Sequence, residues 1–99
     1  MVKTKREILR RLTQFQRERG AEFGVQRIGV FGSAAQDRLT RQSDIDIVVE
    51  LVEPDLFLLI GLQQELAEVF GRQVDVVHYR PTMNPVLKRH IDQEAVYAG

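Results

Sequence analysis

Three aspartates lie in segments with the composition of β-strands, where aspartate is normally depleted. Asp44 and Asp46 are two residues apart, so in a strand both carboxylates project from one face, with their backbones about 6.5–7 Å apart. Asp75 alternates with valines in a later segment and can lie beside them if the two strands are neighbours. Crowded carboxylates repel unless a cation lies between them, and a hard divalent ion with oxygen ligands is the usual solution. The aspartates therefore predict a site for one or two Mg²⁺ ions, which can bridge nucleotide phosphates.

A lone Asp-x-Asp pair also has an ordinary structural explanation. Asp44 would then be a turn residue at the start of a strand, and Asp46 and Asp75 would simply face solvent. The third strand aspartate and an upstream Gly-Ser pair favour the metal site over this explanation. A calcium-binding EF-hand is excluded, because no glycine lies two residues beyond Asp46 and no loop glutamate completes the twelve-residue pattern.

Gly32 and Ser33 follow a predicted strand and precede a short helical stretch. Glycine allows a ligand to approach the backbone closely, a helix start offers unpaired amides, and serine adds a hydroxyl donor. Together they suit an anion such as a triphosphate. The segment is not a Walker loop, because no lysine follows the glycine at the required spacing. A plain chain reversal also commonly has Gly-Ser after a strand, so the pair alone does not decide between the two.

The hydrophobic pattern predicts the elements that position these residues. Apolar residues at helical spacing predict three helices, over residues 3–19, 54–71 and 84–93. In the first of these helices, Gly20 is the predicted C-terminal glycine. Strand-like segments cover residues 25–31, 44–52 and 73–79, with a helical turn at 34–39 and a polar loop at 40–43. This order, α-β-(turn)-β-α-β-α, predicts one α/β (α+β) domain over residues 1–99, with helices packed on a small sheet.

The composition excludes several classes of protein. The 99 residues include no cysteine, which rules out a disulfide framework or a thiolate metal site and favours a reducing compartment. No apolar run approaches the roughly 18 residues of a membrane span, and the N-terminal segment lacks the apolar core of a signal peptide. We therefore expect a cytoplasmic protein without a membrane partner.

The formal net charge of zero hides an asymmetry along the chain. Residues 1–19 carry seven bases and two acids, a net charge of +5, whereas residues 20–99 carry seven bases and twelve acids, a net charge of −5. The basic helix is either a solvated surface or a contact for an acidic partner. It lacks the interleaved aromatic residues of a single-strand binder, so independent nucleic-acid binding is not expected.

The predicted helix over residues 54–71 is apolar on nearly all sides. A protein core explains part of this pattern, and the remainder predicts that a partner subunit or a second copy of the chain covers the outer face. If a homodimer forms there, replacing Leu58 or Ile60 by a charged residue should lower the molecular mass measured in solution to that of the monomer.

The spacing between the two motifs resembles that of a known enzyme family. Ten residues, Ala34 to Ser43, separate the Gly-Ser pair from Asp44-Ile45-Asp46, and a third aspartate follows on a later strand. In type, spacing and order these motifs resemble the polymerase-beta-type nucleotidyltransferase superfamily. The resemblance is closer to its minimal nucleotidyltransferase (MNT) group, which includes the antitoxins paired with HEPN-domain toxins. It covers most of the chain, from the leading helix to the closing segment.

The resemblance implies a role for each motif residue. Gly32 and Ser33 would hold the nucleotide triphosphate. Asp44 and Asp46 would bind Mg²⁺, and Asp75 would ligate metal or accept the proton of the attacking hydroxyl. The implied fold is the nucleotidyltransferase fold, a small mixed sheet flanked by helices. The implied reaction transfers AMP from ATP to a hydroxyl with loss of pyrophosphate, and in the antitoxin branch that hydroxyl is a tyrosine of a HEPN toxin held in a hetero-complex.

One departure from the family pattern leaves a second function open. The family often continues Gly-Ser-x-Ala-Arg-Gly, whereas this chain has Gln36 and Asp37 in the last two positions. Losing the cation would weaken nucleotide binding, Asp37 has the unfavourable sign, and Arg38 or Arg41 could substitute. The alternative function is a catalytically weak or inactive binding module that neutralises or scaffolds a partner protein. A metal-dependent glycosyltransferase is disfavoured, because its catalytic domain needs a longer chain.

Overall fold

Helices and strands alternate along residues 2–99, the part of the chain that this computed structural model describes. In chain order the elements are α1 (Lys5–Phe23), β1 (Val25–Phe31), α2 (Gly32–Ala35), β2 (Ile45–Leu51), α3 (Leu56–Phe70), β3 (Val74–His78), α4 (Pro85–Glu94) and β4 (Val96–Tyr97). The predicted α/β (α+β) class and the order of its elements are confirmed, with β4 added at the end.

The strands form a mixed sheet in the order β3-β2-β1-β4. Strands β2 and β3 are parallel, and β1 runs antiparallel to both β2 and β4. In this register Asp46 is opposite Asp75 on one side and Phe31 on the other. The starts of β2 and β3 therefore share one edge of the sheet with the end of β1, and all the predicted motif residues lie at that edge.

Helix α1 is longer than the sequence pattern predicts. Thr4 caps its start, and the helix continues to Phe23, where Gly24 adopts the left-handed conformation with φ 66°. Gly20 is a buried residue inside the helix, so the prediction that it ends the helix was wrong. The additional turn of helix is stabilised because Phe23 stacks on Phe15, two turns earlier, with ring centroids 6.1 Å apart.

Both faces of the sheet are covered by helices. Helices α1 and α3 pack on one face, where Ile45, Ile47 and Val49 of the central strand β2 are fully buried. Helix α4 packs on the other face, with Ile91 among the buried residues that contact Val48. Alternation places Asp46 on the same face as Val48, at the end of the buried strand. No helix within residues 2–99 combines the length and hydropathy needed to cross a membrane.

Helix α3 begins and ends where the sequence predicts. Asp55 accepts hydrogen bonds from the first amides, and Gly71 with φ 67° ends the helix. Its outer face and the end of β2 leave large apolar side chains exposed, and we call this set the apolar patch: Val52, Leu56, Phe57 and Ile60. Leu58, in contrast, packs against the core. The patch lies at the opposite edge of the sheet from Asp46, about 20 Å away by the length of β2.

The closing strand β4 packs very tightly on β1. A Cβ added at Gly29 would lie 2.5 Å from the carbonyl oxygen of Val96, so only glycine permits this approach. The guanidinium of Arg27 covers the ring of Tyr97 at 3.7 Å from its centroid. The sequence has no recognisable signal for β4, because two residues are too few to show alternation.

Candidate active site

The edge where β2 and β3 begin brings the predicted aspartates together. Asp46 and Asp75 are opposite each other on parallel neighbouring strands, with a backbone separation of about 4.8 Å. Asp44 lies one residue before β2, rather than within the predicted strand, and it lines the same surface groove as Asp75. Asp44 and Asp75 are exposed, whereas Asp46 is half-buried. Within residues 2–99, no three His, Asp or Glu side chains converge closely enough, as they stand, to hold a metal ion.

The charge on Asp46 is uncompensated by the protein. Burial raises the pKa of the Asp46 carboxyl, and the negative charges of Asp75, Asp44 and Glu94 raise it further. Among residues 2–99, no side-chain hydrogen bond or salt bridge reaches this carboxylate. A hard divalent cation fits this donor set, because it supplies the missing positive charge and prefers carboxylate oxygens.

Gly32 lies directly against the Asp46 carboxylate. A Cβ at this position would overlap Oδ2 of Asp46, well inside van der Waals contact. The backbone of Gly32 also has φ 65°, in the left-handed region that favours glycine. The glycine of the Gly-Ser pair therefore leaves space for the central carboxylate, a role that the sequence pattern does not reveal.

Ser33 occupies the second position of the short helix α2 and is half-buried. Its backbone carbonyl accepts a hydrogen bond from the Arg38 amide at 2.8 Å, whereas no side-chain hydrogen bond involves its hydroxyl within residues 2–99. The hydroxyl is therefore available to a ligand at this edge of the sheet. The side chains of Arg38 and Arg41 are exposed and make no ion pair in the described part of the chain.

Glu94 is a fourth acidic residue near the site, and its place there is not evident from the sequence. Its Oε1 accepts a hydrogen bond from Nε2 of Gln36 at 2.6 Å, and its Oε2 lies 3.3 Å from Nδ1 of His90. Its charge contributes to the raised pKa of Asp46. In the sequence, Glu94 looks like half of an i,i+4 surface pair with His90, so only the docking of α4 on the sheet shows where it lies.

Asp37, which stands where the family often has glycine, has a left-handed backbone conformation and a side chain that accepts a hydrogen bond. Its φ of 57° is the left-handed conformation, which glycine adopts freely and which aspartate tolerates better than most residues. Its carboxylate Oδ1 accepts a hydrogen bond from the backbone amide of Lys5 at 2.9 Å, at the positive end of α1. The negative charge of Asp37 is therefore engaged by the first turn of α1.

Comparisons with known proteins agree with this geometry. Residues 6–98 match the family described as nucleotidyltransferase domain. The chain is 35% identical over 95 residues to protein adenylyltransferase MntA of Thermococcus cleftensis, a match that covers 95% of each protein. A solved structure of a candidate minimal nucleotidyltransferase shares 31% identity with a TM-score of 0.76, covering 91% of this chain and 92% of that one. A toxin–antitoxin complex with AMP-PNP shares 27% identity with a TM-score of 0.73, covering 90% of this chain and 70% of the matched chain.

Proposed function

Because the chain belongs to the nucleotidyltransferase domain family, we propose that it transfers AMP from ATP to a tyrosine hydroxyl of a HEPN-type toxin and thereby acts as an antitoxin. The observation that carries this proposal is the uncompensated Asp46 carboxylate between Asp75 and Gly32 at one edge of the sheet. The similarity to a protein adenylyltransferase and to a chain of a toxin–antitoxin complex supports the acceptor class.

The motif residues would have different roles in the proposed transfer. Asp44, Asp46 and Asp75 would hold Mg²⁺, which when bound supplies positive charge beside the phosphates. The backbone at Gly32 and the free hydroxyl of Ser33 would bind the triphosphate. In the transfer, the acceptor oxygen bonds to the α-phosphorus, the bond to the β-phosphate oxygen breaks, and pyrophosphate leaves. Asp75 would ligate the metal or take the proton of the acceptor hydroxyl, and its exposure supports access by that hydroxyl.

One observation favours the alternative of a weak or inactive binding module. Gln36, which replaces the arginine frequent in the family, has no charge, and its amide is bound to Glu94. Among residues 2–99, Asp44, Asp46 and Asp75 make no salt bridge with a lysine or an arginine, and Glu94 pairs with His90 rather than with a permanently charged side chain. In this alternative the chain neutralises its partner by binding alone.

Intact mass measurement of the partner distinguishes the two functions. The chain is incubated with the HEPN-type toxin, ATP and Mg²⁺, and the intact mass of the toxin is then measured by mass spectrometry. Transfer predicts an AMP-sized mass increment that disappears with Asp44→Ala and remains with Asp92→Ala, a matched acidic residue on the exposed side of α4. Neutralisation of the toxin without added mass, unchanged by Asp44→Ala, would establish the binding module instead.

The apolar patch predicts a contact between two copies of the chain. A toxin whose hydroxyl reaches Asp75 must approach the edge of the sheet opposite the patch, so a second copy can cover the patch without blocking the site. Phe57 is 82% exposed, so Phe57→Asp adds a charge to the interface without disturbing the core. We expect Phe57→Asp to convert a dimer to a monomer in light scattering and Val86→Asp, on α4, to leave the dimer intact. A monomeric parent chain at micromolar concentration would contradict this prediction.

A further inference from the structure

The turn between α3 and β3 contains an arginine, Arg72, whose guanidinium donates hydrogen bonds to backbone carbonyls instead of pairing with a carboxylate. Nη2 of Arg72 donates to the carbonyl oxygens of Thr40 and Ser43, and Nη1 donates to that of Val2 at 3.4 Å. The side chain is half-buried, and within residues 2–99 no carboxylate lies within salt-bridge distance of it. One guanidinium therefore connects the N-terminal segment, the loop at residues 40–43 and the turn after α3.

The loop at residues 40–43 is a compact turn that precedes Asp44. The hydroxyls of Thr40 and Ser43 lie 2.9 Å apart, and the Ser43 hydroxyl accepts a hydrogen bond from the Thr40 amide at 3.1 Å. The Ser43 amide donates to the Thr40 carbonyl at 3.2 Å. These bonds close the turn upon itself, but none of them fixes the turn relative to the sheet.

Arg72 supplies that connection close to both aspartates. Asp44 follows Ser43 directly, and Asp75 lies three residues after Arg72. Gly71 ends α3 in the left-handed conformation and so sets the direction of the chain at Arg72. The amide of Ile45 donates to the carbonyl of Gln73 at 3.1 Å, so the backbone pairing of β2 with β3 begins just beyond this arginine.

We infer that Arg72 is a positioning residue for the transfer reaction: it holds the loop at residues 40–43, and with it Asp44, at a fixed place relative to Asp75. This inference rests on the proposed function only for its effect on activity. Several rigid donors in one plane are needed to reach three carbonyls, and a lysine ammonium does not reproduce that geometry. A misplacement of about 1 Å in a reacting assembly can lower the rate about 10²-fold. Loss of Arg72 would make the loop flexible, and we expect this to lower mainly kcat.

The test compares Arg72→Met with Arg11→Met. Arg11 also donates to a backbone carbonyl, that of Val69 at 3.1 Å, but it does not contact the loop. For Arg72→Met we expect kcat to fall about 10–100-fold while KM for ATP changes less than about threefold, since the Gly32 and Ser33 positions are untouched. Arg72→Lys should not restore kcat. Arg11→Met should leave both parameters close to those of the parent chain.

Hydrogen exchange provides a readout that does not depend on catalysis. The amides of Ser43 and Ile45 should exchange at least about tenfold faster in Arg72→Met than in Arg11→Met, while amides in the centre of β2 stay protected. If the parent chain transfers no AMP, the proposed function fails and the exchange experiment still decides whether Arg72 orders the loop. Equal loop exchange in both variants, or full recovery of kcat in Arg72→Lys, would overturn the inference.

Discussion

Replacing Asp46 by asparagine should abolish AMP transfer and at the same time make the protein more stable. The substitution removes the central carboxylate of the proposed metal site, which we expect to reduce transfer by about 10³-fold, corresponding to several kcal/mol of lost charge stabilisation. It also removes a charge that burial and the neighbouring Asp75 and Asp44 disfavour. We expect a gain of about 0.5 kcal/mol in unfolding free energy, a small value because solvent screens this half-exposed group.

The stability gain of Asp46→Asn should depend on pH. Because the folded-state pKa of Asp46 is raised above its ordinary value of 3.8, its ionised form destabilises the fold. This destabilisation is present at neutral pH and is relieved as the pH falls through the folded-state pKa. Thermal unfolding should therefore show a midpoint about 2–4 °C higher for Asp46→Asn at pH 7, and the difference should shrink as the pH falls through the folded-state pKa and disappear below the ordinary value of 3.8.

Asp92 provides a control of the opposite sign. Hydrogen bonds from Tyr79 and Lys88 lower the pKa of Asp92, so its ionised form is favoured in the folded protein. Asp92→Asn should therefore give no gain in stability at pH 7 and should retain transfer. A gain for both variants would show that a general reduction of negative charge explains the result. If Asp46→Asn does not raise the unfolding free energy, this result would contradict the conclusion that the Asp46 carboxylate is uncompensated.

Replacing Gly32 by alanine should eliminate transfer at a modest cost in stability. The left-handed backbone at this position costs alanine about 1–2 kcal/mol. The new Cβ would also collide with Oδ2 of Asp46, and because this atom ends a side chain, rotation of the carboxylate relieves the collision. The central carboxylate would then leave its place between Asp75 and the Gly-Ser pair, and we expect transfer to fall at least about 10²-fold.

Gly24 is a closely matched control for this effect. Its φ of 66° is almost the same as that of Gly32, but an added Cβ would meet only Val52, at a relaxed 3.9 Å. Gly24→Ala should therefore lower the unfolding free energy by a similar 1–2 kcal/mol while transfer remains close to that of the parent chain. Urea unfolding and the toxin mass assay measure the two effects separately. Equal loss of transfer in both variants would refute a specific role for Gly32.

The sequence by itself determined the local elements and the order of the motifs. The bounds of β1 followed from its β-branched and aromatic composition. The start and end of α3 followed from the helical spacing of its apolar residues and from the residues at its two ends, Pro54-Asp55 and Gly71. These signals depend on neighbouring residues alone. The three aspartates and the Gly-Ser pair were recognisable because aspartate is unusual in strands and because the spacing between the motifs is distinctive.

Only the tertiary structure decided how these residues meet. It showed that Gly32 makes space for Asp46, that Glu94 approaches the site from α4 and that Asp37 binds the first turn of α1. It also placed Arg72 on the carbonyls of a loop about thirty residues earlier. Each of these contacts joins residues distant in the chain, and periodicity carries no information about such pairs. The chemical groups were therefore evident in the sequence, whereas the contacts that position them depend on how the helices pack on the sheet.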